Sequence, residues 1–435
     1  MLGRGVDAAT KRPRHAAISI PLPLPQPLPL PFPLPFPSSR PPLPSVYATV
    51  VITTLIQVLT ALCSVAVPVL APSAGHDLGF APTLAGYFVG IMYISASSSA
   101  LLTGSLVLRY GSIRVSQVAL LLCAVAMALL TVLPLHLMPI AALILGAGYG
   151  PITPASSHVL AKTTPPHMMS FMFSLKQTGV TLGGALAGVM LPPLTLAFNW
   201  RVASLTAAVM CLITIAIAQR LRPALDDDRN PRHPISVKNF LHPFRLLLAD
   251  PALIRHTLTG ATYAGLQMCF TAYIVAYLTH DFGYTLAAAG FALAFGNFGG
   301  VAGRILWGVV ADRTRAPRTV LGFLGVMMTL CTCFIAGIGA AWPTALVLAA
   351  CLAFGLTGFS WNGVQIAETA RLSPPGLAAV VSGAGTFVTF AGIIVLPPLF
   401  ALVHDATDSY RIPFAVFAVP ALVSGVWQLL ARRRG

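Results

Sequence analysis

The sequence is poor in charged residues. Of its 435 residues, 26 are lysine or arginine and 11 are aspartate or glutamate, together 9% against about 25% in soluble globular proteins. Because 56% of the residues are hydrophobic, a water-soluble fold could not cover its own surface, which excludes a soluble enzyme. The net charge of +15 does not indicate nucleic-acid binding, since no polar domain is present to carry a basic face. The composition indicates an integral membrane protein.

The sequence also lacks the motifs of cofactor and metal chemistry. No glycine-rich phosphate loop ending in Lys-Ser/Thr is present, so ATP hydrolysis is not expected. The seven cysteines all lie in apolar stretches, and Cys331 and Cys333 lack the further ligands that a metal site needs. No nucleophile–base pair stands out. We therefore expect no enzyme activity, no cofactor and no metal.

Long apolar runs fill the chain from Val46 onward. Each is close to the roughly 20 residues that a helix needs to cross about 30 Å of hydrocarbon. We predict an all-α membrane protein with twelve transmembrane helices. The predicted spans are 46–70, 84–108, 115–135, 138–160, 168–191, 202–219, 253–279, 285–310, 319–339, 343–367, 378–402 and 412–431.

The remaining segments divide the chain into domains. Every odd position from Pro21 to Pro37 is proline, so residues 1–44 are predicted to form a disordered or polyproline tail. The longest polar gap, 220–252, contains three consecutive aspartates from Asp226 and is predicted to be a cytoplasmic linker. It separates an N-terminal six-helix bundle, 45–219, from a C-terminal six-helix bundle, 253–435.

The basic residues predict the orientation of the chain. If the N-terminus is cytoplasmic, 22 of the 26 basic residues lie in or beside the cytoplasmic loops and tails, and only Arg201 and Arg411 lie outside. This asymmetry follows the positive-inside rule. We predict a multi-pass protein of a bacterial inner (plasma) membrane with both termini in the cytoplasm.

Two landmarks recur along the chain at nearly the same offset. The run Leu-Pro-Pro-Leu at 191–194 returns at 396–399, and Arg109 after the second span corresponds to Arg313 after the eighth. The offsets are 205 and 204 residues. They indicate two parallel, pseudo-symmetric six-helix halves, an arrangement that places a substrate site between the halves near the membrane midplane.

Residues 308–313, Gly-Val-Val-Ala-Asp-Arg, resemble the Gly-x-x-x-Asp-Arg loop signature of the major facilitator superfamily. Their counterpart at 104–109 departs from it, because Leu108 stands where the family has aspartate. The resemblance covers about residues 46–431. It implies two six-helix bundles that rock about a central site, exposing it alternately to the two sides of the membrane.

The resemblance also implies a latch at the cytoplasmic ends of the helices. Its candidate residues are Arg109, Asp312, Arg313, Glu368 and Arg371. Because Leu108 replaces the aspartate, we expect the second half to carry more of the latch. Exposed ion pairs contribute only about 0–1 kcal/mol each, which suits a latch that must release. The alternative is that these charges only anchor the loops.

Charges inside the membrane are candidates for substrate binding, since each costs at least ~2.5 kcal/mol at mid-helix. Lys176 in the fifth span shares a small-residue stripe with Gly179 and Gly183. In the family that the chain resembles, the fifth helix faces the eighth, which would bring Asn297 and Arg304 towards Lys176. Two cations and an amide suit an organic anion such as a carboxylate. Alternatively, Arg304 is a structural brace and Lys176 is a neutral buried amine.

Further polar residues in the apolar spans suit the lining of a cavity. The candidates are Gln57, Tyr149, Gln267 and Asn362. Each taken alone is equally explained by packing between helices.

We therefore expect a secondary transporter that works by alternating access and moves a small organic anion inward together with protons. Its expected partners are this solute, the lipid bilayer and the proton, with no nucleic acid, and we expect a monomer. One rival is an exporter of amphipathic compounds or drugs. Another, from a different class, is a non-transporting membrane sensor or scaffold that retains a carrier fold.

Overall fold

A computed structural model describes residues 46–79, 84–234, 242–339 and 341–430. The predicted proline-rich tail, 1–44, lies outside the described residues. Over the described part of the chain the regular structure is helical, with fifteen α-helices and two short 3₁₀ turns.

The helices follow the predicted spans along the chain. The first half contributes α1 (Val46–Leu78), α2 (Leu84–Tyr110), α3 (Ser112–Leu130), α4 (Met138–Tyr149), α5 (Ile152–Thr163), α6 (Met169–Ala197) and α7 (Trp200–Leu225). The short helix α8 (His242–Ala249) lies in the linker. The second half contributes α9 (Pro251–Phe282), α10 (Leu286–Thr314), α11 (Pro317–Ala336), α12 (Thr344–Gly358), α13 (Trp361–Leu372), α14 (Ala378–Thr407) and α15 (Arg411–Leu430).

Each predicted span begins within three residues of the first residue of an observed helix, but several helices end later than predicted. The first helix continues to Leu78, and α7 continues to Leu225, inside the segment predicted as linker. The difference arises because hydropathy reports only the part of a helix that lies in hydrocarbon, whereas the backbone hydrogen bonds continue into the polar boundary.

The fourth and tenth predicted spans are each interrupted near the middle. The break between α4 and α5 falls at Gly150 and Pro151, where the proline ring removes a backbone N–H donor. A Cβ on Gly150 would lie 2.0 Å from the carbonyl oxygen of Ala96, so glycine is required for the contact with α2. The break between α12 and α13 falls at Phe359 and Ser360.

Eleven helical segments among the described residues are long and apolar enough to cross a membrane. The seventh predicted span, α9, is not among them, although its 32 residues exceed the necessary length. Its threonine, tyrosine, histidine and glutamine side chains lower its hydropathy. It packs against α14 and α15, and with it the described residues contain a helix at each of the twelve predicted spans.

Each half has a large apolar cluster of its own. Leu62 and Cys211 belong to the cluster of the first half, and Phe270 and Phe354 to that of the second. The halves meet where α2 packs along α14 and where α6 packs along α10 and α13. We call the end of the molecule that carries Arg109, Asp226, Asp312 and Arg371 the linker end. The residues that could bind a solute lie where the halves meet.

Candidate functional site

The close contact between α1 and α6 fixes the position of Lys176. A Cβ on Gly183 would lie 2.3 Å from the carbonyl oxygen of Val58, and one on Gly179 would lie 2.9 Å from that of Thr54. The glycine stripe therefore lets the two backbones touch. Lys176, one turn before Gly179, points at α1 as a result.

The ammonium group of Lys176 is held by two amide oxygens. Its Nζ donates to Oε1 of Gln57 at 2.6 Å and to Oε1 of Gln177 at 2.9 Å. The residue is 2% exposed, and among the described residues no carboxylate forms an ion pair with it. Both polar partners of Lys176 are therefore neutral amides.

Gln177 connects Lys176 to the second half. Its Nε2 donates to Oδ1 of Asn362 on α13 at 2.6 Å, and its backbone oxygen accepts from Nη1 of Arg304 on α10 at 2.9 Å. Arg304 also donates to Oγ1 of Thr181 through Nη1 and to the backbone oxygen of Phe359 through Nε. The two buried cations therefore belong to one polar network across the junction between the halves.

A cavity of about 150 Å³ adjoins this network. Five of the predicted residues line it: Gln57, Tyr149, Gln267, Arg304 and Asn362. Gln177, Gln365, Tyr93, Trp361 and Phe390 are also among its lining residues. The cavity combines amide groups and one guanidinium with aromatic walls, as sites for small organic solutes do.

An aromatic cluster forms the wall between α2, α4 and α14. Phe390 of the second half contacts Tyr93 and Tyr149 of the first, with ring centroids 5.4 and 6.0 Å apart respectively. Tyr149, predicted only as a polar lining residue, therefore also helps to close the halves against each other.

The structure does not bring all predicted site residues together. Lys176 lies behind Gln57 and Gln177 and is not part of the cavity wall. Asn297 does not line the cavity either, because its Nδ2 donates to the backbone oxygen of Leu293 in its own helix. The structure does not bring Asn297 to Lys176: the Asn297 amide bonds within its own helix, whereas the longer Arg304 side chain reaches Gln177 of α6.

Gln177 is the functional candidate that the sequence analysis missed. It contacts both cations and the second half, yet it is adjacent to Lys176 and so lay outside the stripe defined by helical spacing. The sequence did contain an indication: a glutamine beside a lysine in an apolar span needs polar partners of its own.

At the linker end, charged side chains of the second half bind backbone groups of the first half. Asp312, at the end of α10, accepts from the backbone N–H groups of Ser170 and Phe171 at 2.9 and 2.7 Å, which caps the start of α6. Arg371 donates to Asp312 at 3.0 Å and to the backbone oxygen of Pro166. The bonds from Asp312 to Ser170 and Phe171 and from Arg371 to Pro166 cross from the second half to the first and hold the linker end closed, whereas the Arg371–Asp312 pair lies within the second half.

Other members of the predicted latch take different positions. Glu368 pairs with Arg318 at 3.0 Å and lies 3.7 Å from Arg371, within the second half. Arg313 is exposed and makes no ion pair among the described residues. Arg109 donates to the backbone oxygen of His233 in the linker at 3.4 Å. The geometry thus places Asp312 and Arg371 between the halves.

The first half lacks an equivalent of the Asp312 contact. Where an aspartate would cap α14, Leu108 is present, and Gly104 of α2 instead lies against α14, with a Cβ there 2.7 Å from Cα of Val380. In this half Asp226 caps α3, accepting from the backbone N–H groups of Ile113 and Arg114. The first half is therefore joined to α14 by close apolar packing.

Asp228 in the linker provides a pH-dependent contribution to stability. Burial alone would raise the pKa of its carboxyl, but hydrogen bonds from His158 at 2.7 Å and Lys162 at 3.0 Å outweigh burial and lower it. A lowered pKa stabilises the fold above the unfolded value of about 4, and the effect is lost as pH falls below it. We expect Asp228→Asn to lower Tm by about 1–2 °C at pH 7, with the difference from wild type shrinking below pH 4.

Thermal unfolding of the two detergent-solubilised proteins between pH 7 and 2 measures this difference. Asp405→Asn is the matched control, because Asp405 is exposed and lies near the end of α14, far along the helix from the linker end. An Asp228→Asn deficit that stays constant down to pH 2 would show that the pairing with His158 and Lys162 is not its source.

Comparison with models of protein families identifies the family of the chain. The model of the Major Facilitator Superfamily matches residues 53–397. The chain belongs to this superfamily. It is an integral multi-pass membrane protein and a secondary transporter, not an enzyme. No curated protein matches the sequence.

Solved superfamily structures share the fold over nearly their whole length. The human organic anion transporter matches with a TM-score of 0.73 at 16% identity, covering 88% of this chain and 100% of its own. The E. coli fucose:proton symporter matches with a TM-score of 0.70 at 16% identity, covering 89% and 99%. The proton:xylose symporter bound to 6-bromo-6-deoxy-D-glucose matches with a TM-score of 0.69 at 14% identity, covering 88% and 95%. At these identities the likeness shows the fold alone.

Proposed function

We propose that this transporter moves a small organic anion of the carboxylate type, inward and together with protons, by alternating access of the cavity between the two halves. The observation that carries the proposal is the pair of buried cations, Lys176 and Arg304, joined through Gln177 beside the cavity. Neither forms an ion pair with a carboxylate among the described residues.

A buried cation that has no carboxylate partner in the protein favours the binding of an anion. Removing a charge from water is costly unless a partner or several dipoles replace the lost hydration. Arg304 binds protein oxygens through Nε and Nη1, whereas Nη2 makes no hydrogen bond among the described residues. Because Arg304 lines the cavity, these free N–H donors are available to a carboxylate oxygen, the partner that a guanidinium matches best.

The size of the cavity favours a small solute. Its volume of about 150 Å³ is below the roughly 300–1,000 Å³ of sites that take drug-sized ligands. A small anion is therefore a better fit to this state than an amphipathic drug. The matched structures include one organic anion transporter and two proton-coupled sugar symporters, so the choice of an anion depends on the charges of the site.

His256 supports the proton as coupling ion. The side chain is 1% exposed, and its Nε2 donates to the backbone oxygen of Gln365 at 2.9 Å. Its Nδ1 has no hydrogen-bond partner among the described residues. Since Gln365 lines the cavity, this hydrogen bond places the imidazole ring one residue away from the cavity. Histidine is the side chain whose proton exchanges most readily near neutral pH.

A stability screen tests the proposed substrate class. The purified protein is heated with mono- and dicarboxylates, with neutral sugars such as fucose and xylose, and with amphipathic dyes. A ligand that binds only the folded state increases the free energy of unfolding, by about 2.7 kcal/mol at 100 times its Kd, and so raises Tm. We expect small carboxylates to raise Tm and Arg304→Gln to remove the rise. Stabilisation by sugars or dyes without any by carboxylates would contradict the proposal.

A further inference from the structure

A second concave surface lies on the outside of the first half, away from the cavity. This groove, of about 850 Å³, runs between α2 and α3 and reaches α4 and the linker. Its walls are mainly apolar, formed by Leu102, Leu106, Val115, Val118 and Leu122 among others. Leu102 and Val118 are 36% and 50% exposed. The groove therefore presents apolar side chains to the membrane and not to the solute path.

The groove has the depth of one membrane leaflet. On α3 its lining extends from Arg114 to Leu122, which at 1.5 Å per residue is about 12 Å. The hydrocarbon of one leaflet is about 15 Å thick. The deep end of the groove thus lies near the midplane, and the shallow end lies where α2 ends and α3 begins, at the boundary of the bilayer.

Four arginines lie at the shallow end: Arg109, Arg114, Arg222 and Arg229. Arg114 and Arg229 are close enough to Arg222 to repel it electrostatically. Asp226 lies 3.7 Å from Arg222, is 3% exposed and caps α3. Asp227 lines an adjoining pocket with Arg222 and Arg229, but its carboxylate pairs with Lys162. The mouth of the groove therefore keeps a surplus of positive charge.

We propose that this groove binds an anionic phospholipid of the leaflet at the linker end, with one acyl chain between α2 and α3 and the phosphate at the four arginines. The apolar walls suit an acyl chain, and the depth of the groove suits a chain that crosses one leaflet. The arginines lie at the level of the negatively charged headgroup. A zwitterionic lipid would bring a choline or ethanolamine cation towards the same arginines and would bind less well.

Native mass spectrometry of the full chain tests this site. The delipidated protein is mixed with equal amounts of dioleoyl phosphatidylglycerol and dioleoyl phosphatidylcholine, and the lipid retained per transporter is counted. We expect phosphatidylglycerol to be preferred. Arg114→Gln/Arg229→Gln should weaken its binding roughly 30-fold, at about fivefold for each cation removed near a lipid surface.

Two further variants separate the contribution of the groove from that of overall charge. Arg220→Gln/Arg313→Gln removes the same charge at exposed positions outside the groove and should leave the preference intact. Val118→Trp places a larger side chain in the groove at a position that is already exposed. It should weaken lipid binding although all four arginines remain.

Three outcomes would overturn the proposal. One is equal retention of the two lipids by the wild type, and another is equal loss in the two double-arginine variants. The third is displacement of phosphatidylglycerol by an equal concentration of soluble glycerol 1-phosphate, which would identify a free organophosphate as the ligand and show that the acyl chain contributes nothing.

Discussion

Lys176→Gln is expected to reduce uptake of the proposed organic anion about 100-fold while the protein still folds and reaches the membrane. The substitution removes the positive charge, yet glutamine can still donate a hydrogen bond towards Gln57 and Gln177, the two residues that hold the ammonium group. A hydrogen bond to a charged group is worth about 1.5–3 kcal/mol, or roughly 10- to 150-fold. Uptake into proteoliposomes, with a carboxylate found by the stability screen, measures the loss.

Lys162→Gln is the matched control for this substitution. Lys162 lies at the linker end, where its Nζ pairs with Asp227 at 2.6 Å and with Asp228 at 3.0 Å. Removing its charge should affect stability but leave uptake within about threefold of wild type, because exposed pairs contribute little. Normal uptake by a well-folded Lys176→Gln protein would exclude a role for this charge in anion transport, whatever the identity of the substrate.

The sequence predicts the helices well because hydropathy is a local property. The starts of the twelve spans are encoded in neighbouring residues, and each lies within three residues of the start of a helix in the structure. The small-residue stripe of α6 likewise predicts close packing, and Gly179 and Gly183 do contact a neighbouring backbone, that of α1.

The partners of individual polar side chains were less predictable, because they depend on the rotation of each helix. Asn297 and Arg304 are seven residues apart and were predicted to share a face, yet only Arg304 is long enough to cross to α6. Asn297 satisfies its amide within α10. The partner of Asp312 could not be read from the signature either, since Arg371 comes from another helix and Arg313 points outward.

The junction of the halves at the linker end depends on glycine as well as on charge. Ser174 of α6 is fully buried between two glycines of the second half. A Cβ on Gly363 would lie 2.2 Å from Cα of Ser174, and one on Gly308 would lie 2.8 Å from its Cβ. Backbone atoms cannot move aside as a flexible side chain would. The halves can therefore approach this closely only with glycine at both positions.

Gly363→Ala is expected to open the linker end and to reduce uptake about 100-fold. Overpacking of a close contact costs up to about 3 kcal/mol, which shifts the equilibrium between the closed and open linker end roughly 100-fold. The shift is read from a single cysteine at the cavity residue Thr389, in a background without the seven native cysteines. An impermeant maleimide should label Thr389→Cys faster from the linker side when Gly363→Ala is present.

Gly188→Ala separates this steric effect from the change of residue type. Gly188 is also in the interior of a helix, α6, but a Cβ there would meet nothing within 4 Å. Alanine favours a helix over glycine by about 1 kcal/mol, so this control should retain uptake and gain slight stability. Unchanged labelling from the linker side in Gly363→Ala would mean that the contact with Ser174 does not limit closure, and Asp312 and Arg371 would then hold the halves together without it.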